Sequence, residues 1–189
     1  MSMRRWVVAA MCAVVSTLTL PAWADPPATA NSVQLGVGFR YGQELEDGDF
    51  NPWGTGIGVE AGYTLPNALY LGGNFDYFFG EKQETDGLSL EANIWQLMGE
   101  VGYDLGFGEG PYFVVRPKAG LGVAGLSSES CLGNLGCESD SQTNFAIAPG
   151  ATFMLLTKSV SLSLDLRYDM IFAEEETLNA LLFSIGIGF

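Results

Sequence analysis

Asp165, Arg167 and Asp169 stand at alternate positions in the run SLSLDLRYDMIF. In an extended chain, side chains two residues apart share a face, so both carboxylates and the guanidinium project together. Two carboxylates on one face are the minimal equipment for general acid–base chemistry. With Arg167 between them, mutual charge neutralisation is the expected outcome instead. The 189-residue chain contains no histidine, which removes Ser-His-Asp and Cys-His nucleophilic sites and His-ligated zinc. No enzyme activity, metal site or cofactor is expected.

Charge excludes a further class. There are 8 Lys plus Arg against 22 Asp plus Glu, giving a net charge of −14. Such a surface repels a phosphate backbone, so nucleic acid is not an expected partner. The acidic segment Glu46-Asp47-Gly48-Asp49-Phe50-Asn51 offers oxygens at alternate positions, as a calcium loop does. Pro52 stands where that loop needs its sharp-turn glycine, and Gly58 where it needs a bidentate glutamate. A dedicated calcium site is therefore not expected; the acidic segment is read as a solvated loop, with loose cation bridging to neighbouring anions ranking above a specific site.

Residues 1–24 read as a cleaved secretory signal peptide. Arg4 and Arg5 precede an apolar run from Trp6 to Leu20, followed by Pro21 and Ala22-Trp23-Ala24. Residues 25–31 form a short periplasmic lead-in and 32–189 the folded domain. Export places the protein where disulfides persist. Cys12 leaves with the signal, and Cys131 and Cys137 remain, six residues apart in SSESCLGNLGCESDS. A disulfide closing one surface loop is the expected pairing.

The elements that carry these groups follow from hydropathy of period two. Apolar residues alternate with small or polar ones over 33–41, 57–65, 69–79, 95–105, 113–123, 145–155, 160–172 and 181–189. The phase slips at Leu90–Ile94, where a bulge or an exit from the membrane is expected. The connections also alternate. Those after the second, fourth and sixth runs are short. Those after the odd runs are longer and acidic: QELEDGDFNPW, EKQETDG, the cysteine segment and AEEETLN. Eight amphipathic strands, short turns on one side and long loops on the other predict an all-β fold. It is an eight-stranded antiparallel up-and-down transmembrane β-barrel with short periplasmic turns and longer extracellular loops.

One face of each run is Leu, Val, Ile and aromatics, which suits lipid. The other is rich in Gly, Ser, Thr and Asn, which suits the narrow lumen of an eight-stranded barrel. Aromatics gather near both strand ends, as at the two membrane interfaces. Four of the six basic residues left after the signal fall on the lumen phase: Arg40, Arg116, Lys118 and Arg167. Glu60, Asp76, Glu100, Asp104, Asp165 and Asp169 share that phase. Buried charges are tolerated only when paired, so an internal salt-bridge network is expected.

The stretch from Asn31 to Phe189 resembles the OmpA/OmpX-like family of small eight-stranded outer-membrane barrels. The resemblance rests on strand count, loop parity, the signal peptide and the terminal LLFSIGIGF. It implies a bacterial outer-membrane location in contact with lipid and lipopolysaccharide. It further implies that Phe183, Ile185, Ile187 and Phe189 form the terminal signal read by the barrel assembly machinery. No further periplasmic domain is expected after the last strand, and the barrel is expected to be monomeric. The expected function is structural or surface-interacting, through acidic loops over a charge-plugged lumen. In such barrels a charge network resembles a gate, so a small gated channel or an OmpW-like conduit is the second reading.

Overall fold

The computed structural model of the chain describes residues 29–45, 51–85, 88–107, 112–132, 136–157, 159–173 and 177–189. The signal segment 1–24 lies outside the described residues, as does most of the lead-in. The strands are β1 (Ser32–Glu44), β2 (Gly54–Thr64), β3 (Leu69–Thr85), β4 (Leu88–Tyr103), β5 (Leu105–Phe107), β6 (Tyr112–Leu132), β7 (Gly136–Leu156), β8 (Ser161–Phe172) and β9 (Thr177–Gly188). All pairings are antiparallel, and there is no helix among the described residues. β1 pairs with β2 on one side and β9 on the other, so the sheet closes into a barrel. Closure satisfies the strand N–H and C=O groups without water, which lipid demands. The last residue completes the seam. Phe189 N–H donates to Leu35 O at 2.8 Å, and Leu35 N–H to Phe189 O at 3.2 Å.

Nine strand segments make eight staves. Gly102 pairs with Lys118 and Leu105 with Val115, so β5 continues the register of β4 along β6. The break at Asp104 falls beside Pro117, which has no N–H to donate. The alternation sets the faces: Val33, Leu35, Val37 and Phe39 of β1 all point outward, between 54 and 73 % exposed, while Arg40 is buried. The irregularity expected near Leu90–Ile94 lies on the neighbouring strand. Phe79 pairs with Asn93 but Lys82 with Glu91, so β3 carries the extra residue.

The long connections are not all loops, which corrects the sequence reading. EKQETDG and the cysteine segment are largely strand. β6 and β7 have 21 residues each, about twice the 9–11 that cross a bilayer. They stay paired from Tyr112 and Leu156 up to Leu132 and Gly136. β4 follows β6 to Leu88 and Leu132, and β3 follows β4 to Thr85 and Leu88. The pairing of β7 with β8 begins only at Phe145 and Phe172, and that of β2 with β3 at Thr55 and Phe79. Four strands therefore rise beyond the rest as a wall. Among the described residues, β7 has one strand partner over 136–144 and β3 one over 80–85. The alternation vanishes there because water meets both faces: Ser139, Asp140, Ser141, Gln142 and Thr143 are all exposed.

Candidate functional site: a layered lumen

At the periplasmic end Arg116 is held on four sides. Its Nε donates to Asp104 Oδ1 at 2.5 Å, and its Nη2 to Asp104 Oδ2 at 2.9 Å and Gln34 Oε1 at 2.7 Å. The guanidinium carbon lies 3.6 Å from the centroid of the Tyr70 ring, a cation–π stack. Thr64 and Thr29 each donate a hydroxyl hydrogen bond to Asp104 Oδ2, so the lead-in reaches the lumen floor.

The middle layer is continuous. Asp76 accepts from Arg40 Nε at 2.8 Å and from Arg167 Nη2 at 2.6 Å. Arg167 reaches Glu100 at 3.7 Å and Asp165 at 3.5 Å. Lys118 Nζ bridges Glu100 at 2.9 Å and Asp165 at 3.0 Å, and Thr152 donates to Asp165 at 2.6 Å. Asn74 donates to Asp76. These contacts tie β1, β3, β4, β6, β7 and β8 together across the lumen. Gly58 makes the Arg40–Asp76 pair possible, because a Cβ there would sit 2.0 Å from Asp76 Oδ1 and 2.7 Å from Arg40 Nε.

Two of the inward carboxylates stand apart. Glu60 on β2 is half-buried and has no ion pair among the described residues. Asp169 is fully buried, and Arg167 Nε approaches it no closer than 3.8 Å.

Above the charges lies a layer that the small and polar lumen phase did not announce. Trp53, Phe78, Ile94, Ile171 and Leu182 are each 0 % exposed and pack with Met98 and the alanines 124, 146, 148 and 180. The Trp53 and Phe78 rings meet edge to face at 5.2 Å. Asn51 places Trp53: its Nδ2 donates to Gly42 O at 2.9 Å, while its Oδ1 accepts from the backbone N–H of Trp53 and of Glu44, both at 3.3 Å. So the segment read as an acidic loop folds its one tryptophan into the barrel mouth. The signal was Pro52-Trp53-Gly54, an apolar ring in an otherwise acidic connection.

The other expected site residues are placed as follows. Residues 46–50 of the acidic segment lie outside the described residues, and no group of three His, Cys, Asp or Glu suited to a metal occurs among those described. The backbones of Cys131 and Cys137 are direct cross-strand partners at the top of the wall, and their side chains lie outside the described set. Phe183, Ile185, Ile187 and Phe189 face outward from the closing strand, 46 to 71 % exposed.

Comparisons with known proteins agree with this architecture. A family model described as outer membrane protein beta-barrel domain matches residues 10–189. No curated protein sequence matches the chain. Among solved structures, Ail, the attachment invasion locus protein of Yersinia pestis, is 14 % identical with a TM-score of 0.62, covering 85 % of this chain and 99 % of its own. Ail in complex with the heparin analogue sucrose octasulfate is 16 % identical, TM-score 0.58, covering 83 % and 97 %. Neisserial surface protein A is 17 % identical, TM-score 0.54, covering 82 % and 94 %. At such identities the likeness is one of fold.

Proposed function

Since the chain belongs to the outer membrane protein beta-barrel domain family and is integral to the outer membrane, we propose that it is a closed barrel serving surface interaction. The observation that carries this reading is the four-stranded wall, whose β7 edge has, among the described residues, a strand partner on only one side over 136–144. An exposed edge is a template for another extended chain. Glu138 and Asp140 lie along it, which favours a partner segment carrying basic residues. A polyanion of the kind bound by Ail is a poor match, because this chain's net charge of −14 repels it.

A plugged lumen supports the same reading. Any ion path must cross both the salt-bridge layer and the dry Trp53–Phe78 layer above it, which speaks against the gated-channel and conduit alternatives. No catalytic role is proposed. Lipopolysaccharide bridged by divalent cations is the surrounding partner, with the Phe183–Phe189 stripe read by the assembly machinery and the barrel acting as a monomer.

Trimming β6 and β7 to their register partners Leu126 and Gln142, joined by an Asn-Gly turn, tests the role of the wall. The trimmed barrel should keep heat-modifiable gel mobility while cells displaying it lose adherence to protein-coated surfaces. Undiminished adherence would overturn the reading. Planar bilayers holding the refolded protein should stay silent, and should remain so with Arg116→Ala, because the apolar layer still seals the mouth. Discrete current steps would favour the channel.

A further inference from the structure

We propose that the cavity at the foot of the wall receives one long basic side chain, Lys or Arg, of an extended polypeptide laid along the β7 edge. Its docking rests on the strand addition proposed above. The cavity measures about 340 Å³ and lies where the wall's inner face meets the barrel mouth. Its floor is Leu126 and Leu178, which pack on the dry layer around Trp53 and Phe78. Pro52 and Ala173 close it on the side away from the wall, and Ser128, Asp140 and Gln142 form a polar rim. Asp140 and Gln142 belong to the stretch of β7 that has a strand on one side only among the described residues. Cavity and edge are therefore one continuous surface.

Strand phase brings a side chain to that place. The β6–β7 register runs without a slip, so Asp140 and Gln142 keep the inward phase of the buried Ala146 and Ala148. A residue opposite either of them on an added strand shares their face, and its side chain points over the cavity. A long basic side chain lays its aliphatic stem on apolar surface and keeps its charged head at a polar rim. A leucine floor beneath a carboxylate suits both parts. Asp140 Oδ1 accepts from the backbone N–H of Ser141 at 2.8 Å, which leaves Oδ2 for the incoming head. Asp140 has no cationic partner among the described residues. The chain's own cations are elsewhere. Four of the six that follow the signal are in the lumen, leaving Lys82 and Lys158. Lys82 belongs to β3, at the other border of the wall, where it stands opposite Glu91. Lys158 follows the end of β7 remote from the edge.

Full-length mature protein in lipid nanodiscs is titrated with fluorescent peptides that share an alternating Thr-Val strand sequence and differ only in a central Lys, norleucine or Glu. Binding is read by anisotropy, with empty nanodiscs as the blank. The Lys peptide should bind about tenfold more tightly than the norleucine peptide, and the Glu peptide more weakly than either. Asp140→Asn should erase the Lys preference while the norleucine peptide still binds. Ala92→Phe, which places a ring in the cavity, should do the same. Glu91→Gln removes an exposed carboxylate elsewhere on the wall and should leave the preference intact. Equal binding of all the peptides would leave the edge pairing standing and overturn the cavity's role. So would a Lys preference that persists in Asp140→Asn, or one that Glu91→Gln diminishes as much, since the general acidic field would then account for it. Binding of no peptide would overturn the edge pairing and the cavity's role with it. If Ala92→Phe lacks heat-modifiable mobility, Asp140→Asn, at an exposed position, decides alone.

Discussion

Arg167 Nη2 donates to Asp76 Oδ2 at 2.6 Å across the barrel, although 91 residues separate the two in sequence. Both side chains are almost fully withdrawn from solvent, 2 % and 0 % exposed. They lie on β8 and β3, which share no edge, so this contact fixes the lumen independently of the hydrogen-bonded seams. Asp76 also holds Arg40, making it the common acceptor of two guanidinium groups.

Removing Arg167 leaves Asp76 with half its compensation and Asp165 with less. Breaking a buried pair from one side costs about 3–5 kcal/mol. Arg167→Met should lower the unfolding free energy obtained from urea titration by an amount of that order. Asp76→Asn combined with Arg167→Met should cost less than the sum of the single changes. Strict additivity would show that the two residues are not energetically coupled.

Gly58, buried on the lumen phase, and Gly99, exposed on the lipid-facing phase, contrast a crowded glycine with an open one. A Cβ at Gly58 would strike the Arg40–Asp76 bridge, whereas at Gly99 it meets only Leu121 O at 3.8 Å. Gly58→Ala should destabilise by at least ~1–3 kcal/mol, as overpacking does. Gly99→Ala should be neutral or slightly stabilising. Comparable loss at both positions would refute the crowding argument.

Leu164 points into lipid at 56 % exposure, and Ser163 points inward. Leu164→Arg should cost roughly 2–4 kcal/mol near the bilayer midplane. Ser163→Arg escapes that lipid cost, since its charge is directed to the lumen. Folding titrations in liposomes report the difference, and identical penalties would reverse the assigned faces.

Cys131 and Cys137 face each other in the β6–β7 register. Directly opposed residues of an antiparallel pair have Cα atoms about 4.5–5.5 Å apart, within the span a disulfide bridges. Thiol alkylation of the mature protein should therefore label neither cysteine before reduction and both after it. Labelling without reductant would exclude the bond. The barrel's heat-modifiable mobility should survive reduction, because the hairpin is already zipped by its strand pairing.

The sequence by itself determined the barrel, its two faces and which charged residues enter it. Those properties are local: a period of two assigns each side chain to lipid or lumen, and Arg40, Arg116, Lys118 and Arg167 declare themselves by phase alone. Who pairs with whom was not legible. Arg167 selects Asp76 from β3 rather than relying on its neighbours Asp165 and Asp169, because strand stagger around the barrel sets the heights of side chains. Glu60 and Asp169 share the inward phase of the paired carboxylates yet stand outside the close bridges, for the same reason. The wall was equally hidden, since strands bathed by water on both faces need no alternation. Trp53 was hidden as well, its connection reading as polar while one backbone-anchored turn drops its ring into the barrel mouth. Periodicity reports what a strand's environment is, and only closure of the sheet decides which distant side chains share that environment.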